Sequence, residues 1–422
     1  MRHNETSAHV FRIRSIGIFS LAAIFCAFCP RSGASSPRST APQQSAPQTK
    51  AGIDVLEEQK FALLRGKRVG VITNQTGVDS QGRRTIDLLA HAEGVKLVAI
   101  FSPEHGILSN ADAAIENSKD AATGLPIYSL YGETRRPTEA MLQGIDALVF
   151  DIQDAGVRFY TYTTTMAYCM EEAAKHHIAF VVLDRPDPID GETIEGPMLD
   201  PDRLSFTGYF PMPVRYAMTL GELAQMFNAE NKIGADLHVI AMSGWKRNES
   251  YDQTGLVWIP PSPNLRTVNA AFLYPGIEIL QAGGVSVGRG TVTPFELLGA
   301  PWIHAEAFAG VLNRRKIPGV SFAPAQFTPS DGLYAGEPCE GVTIKIVDRT
   351  ALGSMRVGLE IADVLHRMYQ DKFDVEKTIT LLGSKSTVDQ LANGDRPKQI
   401  IAGWEAELAK FRALRAKYLI HQ

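Results

Sequence analysis

The chain has 422 residues, 45% of them hydrophobic, 21% charged and 8% aromatic, with a formal net charge of -4 and four cysteines. Ordinary apolar content and a small net charge exclude disorder for most of the chain and imply roughly two to three domains. The balance shows no basic excess of the kind that neutralises phosphates, so no nucleic-acid partner is expected, and four cysteines are too few for a disulfide scaffold.

At the N-terminus, Arg12 and Arg14 precede an apolar run over 16–28, and Ser32-Gly33-Ala34 follows. The run is shorter than the roughly 20 residues a membrane span needs. Residues 1–34 therefore read as a secretory signal peptide cleaved after Ala34, with no stable membrane span afterwards and a periplasmic or extracellular product. A lipoprotein or an uncleaved anchor competes, because Cys26 and Cys29 lie in or beside the run, but the residues before each match a lipidation site poorly. Residues 35–50 are Ser, Pro, Gln, Thr and Ala with almost no apolar content, a disordered linker. Without residues 1–50 the chain loses six Lys/Arg and one acid, so 36 basic residues face 45 acidic ones and the charge becomes -9. Cys169 and Cys339 remain, either as two separate buried thiols or as a pair.

Beyond the linker, strand patterns at 68–73, 97–101, 147–151, 179–184 and 237–242 alternate with helical patterns at 53–64, 85–93, 138–143, 166–176 and 220–231. The strands are nearly continuous apolar runs, as parallel strands covered on both faces require, and the last helix opens with Thr219 and Glu222 in capping-box spacing. This predicts a doubly wound α/β domain over 51–300. From 251 to 303 the chain is punctuated by Gly and Pro and reads as a long functional connection. Strands near 325–328 and 342–347 and helices over 354–369 and 399–418 predict a smaller auxiliary α+β domain over 301–422.

Ligands of such sheets bind beyond the carboxyl ends of the strands. Those ends are polar here: Thr73-Asn74-Gln75, Ser102-Pro103-Glu104-His105, Asp151-Ile152-Gln153-Asp154 running on to Arg158, and Asp184-Arg185-Pro186-Asp187. No HExxH, CxxC or carboxylate cluster has metal-ligand spacing, so neither a metal nor a cofactor is implied. The Gly-rich stretch 283–291 lacks both the GxGxxG placement and the Gly-Lys-Ser/Thr ending of a nucleotide loop, and no Ser lies in a GxSxG elbow. What remains is carboxylate chemistry: Glu104 beside His105 at a strand end, and Glu296 after the Gly-rich stretch. Glycoside hydrolysis needs two such groups, one protonated and one ionised. Glu296 could equally hold Arg289 or cap a helix.

GIDVL from Gly52, ITNQTGV from Ile72, FSPEHG from Phe101, DIQDAGVRFYTY from Asp151, LDRPDPI from Leu183, EGP from Glu195, PVRYAMTLGELA from Pro213, PPSPNL from Pro260, LYPG from Leu273, VGRGT from Val287 and PFELLGAPW from Pro294 stand in one order. This set resembles the NamZ-type exo-β-N-acetylmuramidase family, formerly a domain of unknown function. The resemblance implies a Rossmann-like domain with a smaller auxiliary one. It also implies release of terminal non-reducing N-acetylmuramic acid from peptidoglycan-derived muramyl saccharides, with Glu104 as the leading catalytic residue. A lactyl carboxylate and an N-acetyl group on the substrate call for a cation, from Arg158, Arg266 or Arg289, and for polar partners among Asn74, Gln75, Tyr160 and Asn264. Relatives often carry an acidic residue near Gln281, where this chain has Gln281-Ala282-Gly283-Gly284. If that residue is the second carboxylate, Glu296, Asp151 or Asp154 has to serve instead. The alternative is an exported binding protein for muropeptides or amino sugars that keeps the cleft without the chemistry.

Overall fold

The structure, a computed structural model, describes residues 49–108 and 116–422. The expected signal peptide and most of the expected linker lie outside the described residues. The linker's last two residues belong to the fold: Lys50 exchanges backbone hydrogen bonds with Ser243 at 2.8 and 3.0 Å, and Thr49 donates to the Thr254 carbonyl at 3.3 Å.

In chain order the strands are β1 (Arg68–Thr73), β2 (Lys96–Ser102), β3 (Ser118–Lys119), β4 (Pro126–Ser129), β5 (Ala147–Asp151), β6 (Ala179–Leu183), β7 (Glu195–Met198), β8 (Pro213–Arg215), β9 (Leu237–Ile240), β10 (Leu297–Ala300), β11 (Val320–Phe327) and β12 (Cys339–Ile346). The helices are α1 (Gly52–Glu58), α2 (Thr85–His91), α3 (Glu139–Leu142), α4 (Tyr162–Lys175), α5 (Leu220–Glu230), α6 (Val268–Ile277), α7 (Ala305–Arg314), α8 (Ser354–Met368), α9 (Ile379–Leu382), α10 (Lys385–Ala392), α11 (Pro397–Gly403) and α12 (Glu405–Arg415).

The main sheet runs β3-β4-β2-β1-β5-β6-β9, parallel throughout except for the β3/β4 edge pair. All five expected parallel strands are present. Their continuity has the expected cause: successive side chains enter two different cores. Leu148, Phe150, Phe180 and Val182 pack with α4 and α5, while Val149 and Val181 pack on the opposite face with Ile53 and Leu56 of α1 and Ile86 and Leu89 of α2. From β1 the chain moves outward through β2 to β4, then returns to β5 on the other side of β1 and continues to β6 and β9. The carboxyl ends of β1 and β5 thus flank the point where the winding reverses. At α5 the expected capping box is formed, Thr219 Oγ1 accepting from Glu222 N and Glu222 Oε2 accepting from Thr219 N at 3.0 Å; removing such a cap costs about 1 kcal/mol.

β10, β12 and β11 form a second, antiparallel sheet in that order, packed by α7, which in turn packs on α8. Together with α9 to α12 they make a smaller α+β region. The chain is thus an α/β fold with a mixed, mainly parallel sheet and this C-terminal α+β region. The expected helix over 399–418 is two helices, α11 and α12, broken at Trp404. The expected connection over 251–303 is corrected more substantially, because α6 occupies ten residues of it. Its sequence, VNAAFLYPGI, is apolar all round and carries Pro275, so it shows no amphipathic period; nearly every residue is buried because α6 lies between the main sheet's core and α8. Gly276 and Gly358 set that crossing: a Cβ on Gly276 would stand 2.0 Å from the Ser354 carbonyl oxygen, and one on Gly358 2.2 Å from that of Gly276. Cys169 and Cys339 are free and both buried, on α4 and β12, so the reading as two separate thiols holds. Among the described residues no helix is long and apolar enough to cross a membrane.

Candidate active site

Beyond β2 the chain turns sharply. Gly106 N donates to the Pro103 carbonyl at 3.0 Å, and both His105 (φ 68°) and Gly106 (φ 76°) are left-handed. A left-handed non-glycine residue is uncommon, and such conformations concentrate at functional loops. The turn lifts the half-buried Glu104 into a cavity of about 370 Å³, within the range of small-ligand sites. Thr161, at the N-cap of α4, donates its hydroxyl to the Glu104 carboxylate.

Around Glu104 the strand ends are tied together. Asn74 Nδ2 donates to the Tyr162 hydroxyl at 3.0 Å, and that hydroxyl donates to the Pro261 carbonyl at 2.7 Å and reaches the Glu104 carbonyl at 3.4 Å. Gln75 Nε2 donates to the Pro260 carbonyl at 2.6 Å. The PPSPNL segment is therefore strapped to the ends of β1 and β2, which explains why amides follow β1. Phe159, Tyr160, Tyr274 and Phe295 supply an aromatic wall, with Tyr274 edge-on to Phe159 at 5.3 Å, to Tyr160 at 5.9 Å and to Phe295 at 4.9 Å. Phe295 is itself left-handed, at φ 66°. Burial raises the Tyr274 hydroxyl well above its ordinary range, and the negative charges of Glu278 and Glu104 add to this against the opposing Arg289.

Of the expected site residues, Glu104, His105, Tyr160 and Arg289 line the cavity. The others are elsewhere, and their contacts say why. Asp151 is fully buried, accepts from Thr85 Oγ1 and is paired with Arg185 at 2.6 Å, a link between β5 and the end of β6. Asp154 is buried against the Tyr216 hydroxyl and the Gly156 amide, and burial lifts its carboxyl from the ordinary 3.8 to about 6. Arg158 is fully buried and gives its guanidinium to four carbonyls, those of Pro197, Met212, Leu381 and Leu382, at 2.7 to 3.1 Å; burial lowers its pKa to about 9. It fastens the turn that brings Leu381 to the cavity and does not itself reach it. Asn74 and Gln75 support the rim without lining the cavity, Asn264 is buried outside the lining, and Arg266 is exposed, its Nε on the Pro263 carbonyl at 3.0 Å. Glu296 is not in the lining; it accepts from the hydroxyl of Thr267, the N-cap of α6, at 2.7 Å.

Sequence reasoning missed Glu278, which lines the cavity, is 7% exposed and accepts from Arg289 Nη2 at 2.7 Å. Its signal was present as a lone acid inside the apolar run Ile277-Glu278-Ile279-Leu280. Ser262, Thr161 and Gln281 also line the cavity. The Gly-rich stretch serves close packing: a Cβ on Gly290 would stand 2.3 Å from Asp331 N, and one on Gly288 2.7 Å from the Leu297 carbonyl oxygen. Among the described residues no group of three or more His, Cys, Asp or Glu side chains is placed to hold a metal ion.

Two family profiles match the chain in succession, the N-terminal region of exo-β-N-acetylmuramidase NamZ over residues 69–269 and its C-terminal region over 272–421. The peptidoglycan β-N-acetylmuramidase NamZ of Bacillus subtilis (strain 168) is 42% identical over 391 residues, covering 92% of this chain and 94% of that protein. Two crystal structures of DUF1343 family proteins from Bacteroides fragilis NCTC 9343 are similar in fold. One has a TM-score of 0.83 at 41% identity, the other 0.72 at 30%, and each comparison covers 89% of this chain and 99% of the other. With both halves matched and the motif-bearing loops gathered around one cavity, this chain belongs to the NamZ exo-β-N-acetylmuramidase family.

Proposed function

We propose that this chain is an exo-acting glycoside hydrolase that releases terminal, non-reducing N-acetylmuramic acid from peptidoglycan fragments, in cell-wall turnover. The observation that carries the reading is Glu104, raised by a left-handed turn into a cavity of sugar-binding size in a chain so similar to a peptidoglycan β-N-acetylmuramidase. Glu104 serves as the acid that protonates the departing glycosidic oxygen. A hydroxyl partner suits that duty, because Thr161 can donate to the carboxylate and accept from the carboxylic acid, so either protonation state is satisfied. Arg289 is the lining guanidinium that answers the lactyl carboxylate, with Tyr160 and Ser262 toward the polar sugar substituents and the aromatic wall toward its apolar face.

The same reading takes the main sheet as doubly wound and Rossmann-like, with the cavity beyond its strand ends as open α/β sheets place their ligands. It takes the protein as exported, to the periplasm or the exterior, in keeping with the Arg-flanked apolar run and small residues before Ser35. Turnover is followed as release of N-acetylmuramic acid from a muramyl disaccharide, or of the aglycone from a chromogenic N-acetylmuramide. Glu104→Gln lowers kcat on the disaccharide by about 10²- to 10⁴-fold, the usual contribution of a general acid, with an unchanged melting temperature. A Glu104→Gln protein of full activity refutes the assignment.

A further inference from the structure

We propose that Glu278 is the second catalytic carboxylate of this site, the ionised partner of Glu104. The proposal rests on the glycosidase reading above and goes beyond it by naming the residue that faces the anomeric carbon. None of the three expected candidates lines the cavity: Asp151 is buried with Arg185, Asp154 is buried against Tyr216, and Glu296 caps α6 through Thr267. Glu278 lines the same cavity as Glu104, and Tyr274, which lines it too, feels the charge of both.

The two carboxyls have different partners, and the difference assigns the roles. A hydroxyl can donate or accept, so Thr161 tolerates Glu104 in either protonation state. A guanidinium only donates and is always charged, so Arg289, at 2.7 Å, holds Glu278 as the carboxylate. As the bond from the anomeric carbon to the leaving oxygen breaks, Glu104 gives its proton to that oxygen. A hydroxyl from water ends on the carbon. The remaining water proton ends on Glu278 in direct attack, or on Glu104 where Glu278 has first bonded the carbon and is then displaced.

The location also resolves the gap at Gln281. Glu278 opens a 3-10 helix, Glu278–Gly283, in which residues three apart eclipse, and Gln281 lines the same cavity one turn further on. An acid at 278 therefore reaches the cavity from the same side as an acid at 281 would, and the amide at Gln281 is no sign of a site that only binds.

The test compares wild type, Glu278→Gln, Glu278→Asp and the double variant Glu278→Gln/Gln281→Glu on a muramyl disaccharide and on a chromogenic N-acetylmuramide with a good leaving group. Glu278→Gln is expected to lose about 10³-fold or more in kcat on both substrates, whereas Glu104→Gln loses much less on the activated one, which needs no protonation to depart. Restoring an acid at position 281 is expected to recover at least tenfold of the loss. Should Glu278→Gln fail to fold, Glu278→Asp keeps the ion pair with Arg289 but withdraws the carboxylate by one methylene, and is expected to lose at least tenfold in kcat at an unchanged melting temperature. A folded Glu278→Gln or Glu278→Asp with wild-type kcat overturns the role of Glu278 while leaving the glycosidase reading intact. A wild-type protein that turns over neither substrate overturns that reading, and this assignment with it.

Discussion

Asp154 is a carboxyl placed where water does not reach. Its Oδ2 accepts from both Tyr216 and the Gly156 amide, yet burial outweighs those bonds and raises its pKa from 3.8 to about 6; the neighbouring Asp187 is raised in the same direction, also chiefly by burial. The sign follows: the folded state binds the proton more tightly than the unfolded chain, so this contribution to stability is complete below about pH 4 and is lost as pH rises through about 6. An asparagine keeps an acceptor for Tyr216 without ionising. Each tenfold difference in proton affinity between the folded and unfolded chain is worth about 1.4 kcal/mol. In urea unfolding, the stability of Asp154→Asn relative to wild type is therefore expected to rise by about 1 to 3 kcal/mol between pH 4 and pH 7. A difference that stays flat over that range contradicts the assignment. At this scale the sequence showed that Glu104 stands at a strand end, because Pro103 and Gly106 mark the turn. It did not separate cavity residues from their supports. Asp151 and Arg158 are as polar as Glu104 in the sequence, and only the burial of each beside a partner 34 or more residues away shows that they brace the rim.

Elements were legible where one physical cause acts along the whole segment. β1, β5 and β6 sit between two cores, so each reads as an unbroken apolar run, and α5 announces its start through Thr219 and Glu222. α6 is hidden for the opposite reason: buried all round and containing Pro275, it has neither period nor polar face. The edge strand β3 and its neighbour β4 are short, with no continuous apolar run to mark them. α6 nevertheless governs the site, because it carries Tyr274 and leads directly into Glu278. Its seat on α8 depends on two glycines in contact, and a methyl at Gly276 would meet the Ser354 carbonyl oxygen at 2.0 Å, which is backbone and cannot swing aside. Gly276→Ala is therefore expected to destabilise by about 1 to 3 kcal/mol or more through overpacking. It is also expected to lower kcat at temperatures where the protein remains folded, since α6 can yield only by carrying the cavity wall with it. A lowered melting temperature with unchanged kcat would show that the strain dissipates before Glu278.

For the molecule as a whole, the question is whether the main sheet and the β10-β12-β11 sheet stand or fall together. One buried cluster runs from Phe150 and Phe180 on the main sheet through Phe272 and Leu273 of α6 to Leu359 of α8, Trp404 and Phe411. Polar contacts cross in the same way. Glu222 of α5, fully buried, is paired with Arg247 at 2.6 Å and also accepts the amides of Ile420 at 2.9 Å and His421 at 3.3 Å, while His421 Nε2 meets Asp184 Oδ2, beyond β6, at 2.8 Å. A shared apolar core leaves no weak seam at which one region could unfold first. In guanidinium chloride, far-UV circular dichroism and tryptophan fluorescence are accordingly expected to report one coincident transition; Trp245 and Trp258 lie before α6 and Trp302 and Trp404 after it, so the fluorescence samples both regions. Arg247→Met leaves the Glu222 carboxylate buried without its guanidinium, a change that costs about 3 to 5 kcal/mol, and both probes should shift together to lower denaturant. Two separated transitions, or a shift confined to one probe, would show instead that the antiparallel region folds on its own and that the contacts at 420–422 only dock it against the main sheet.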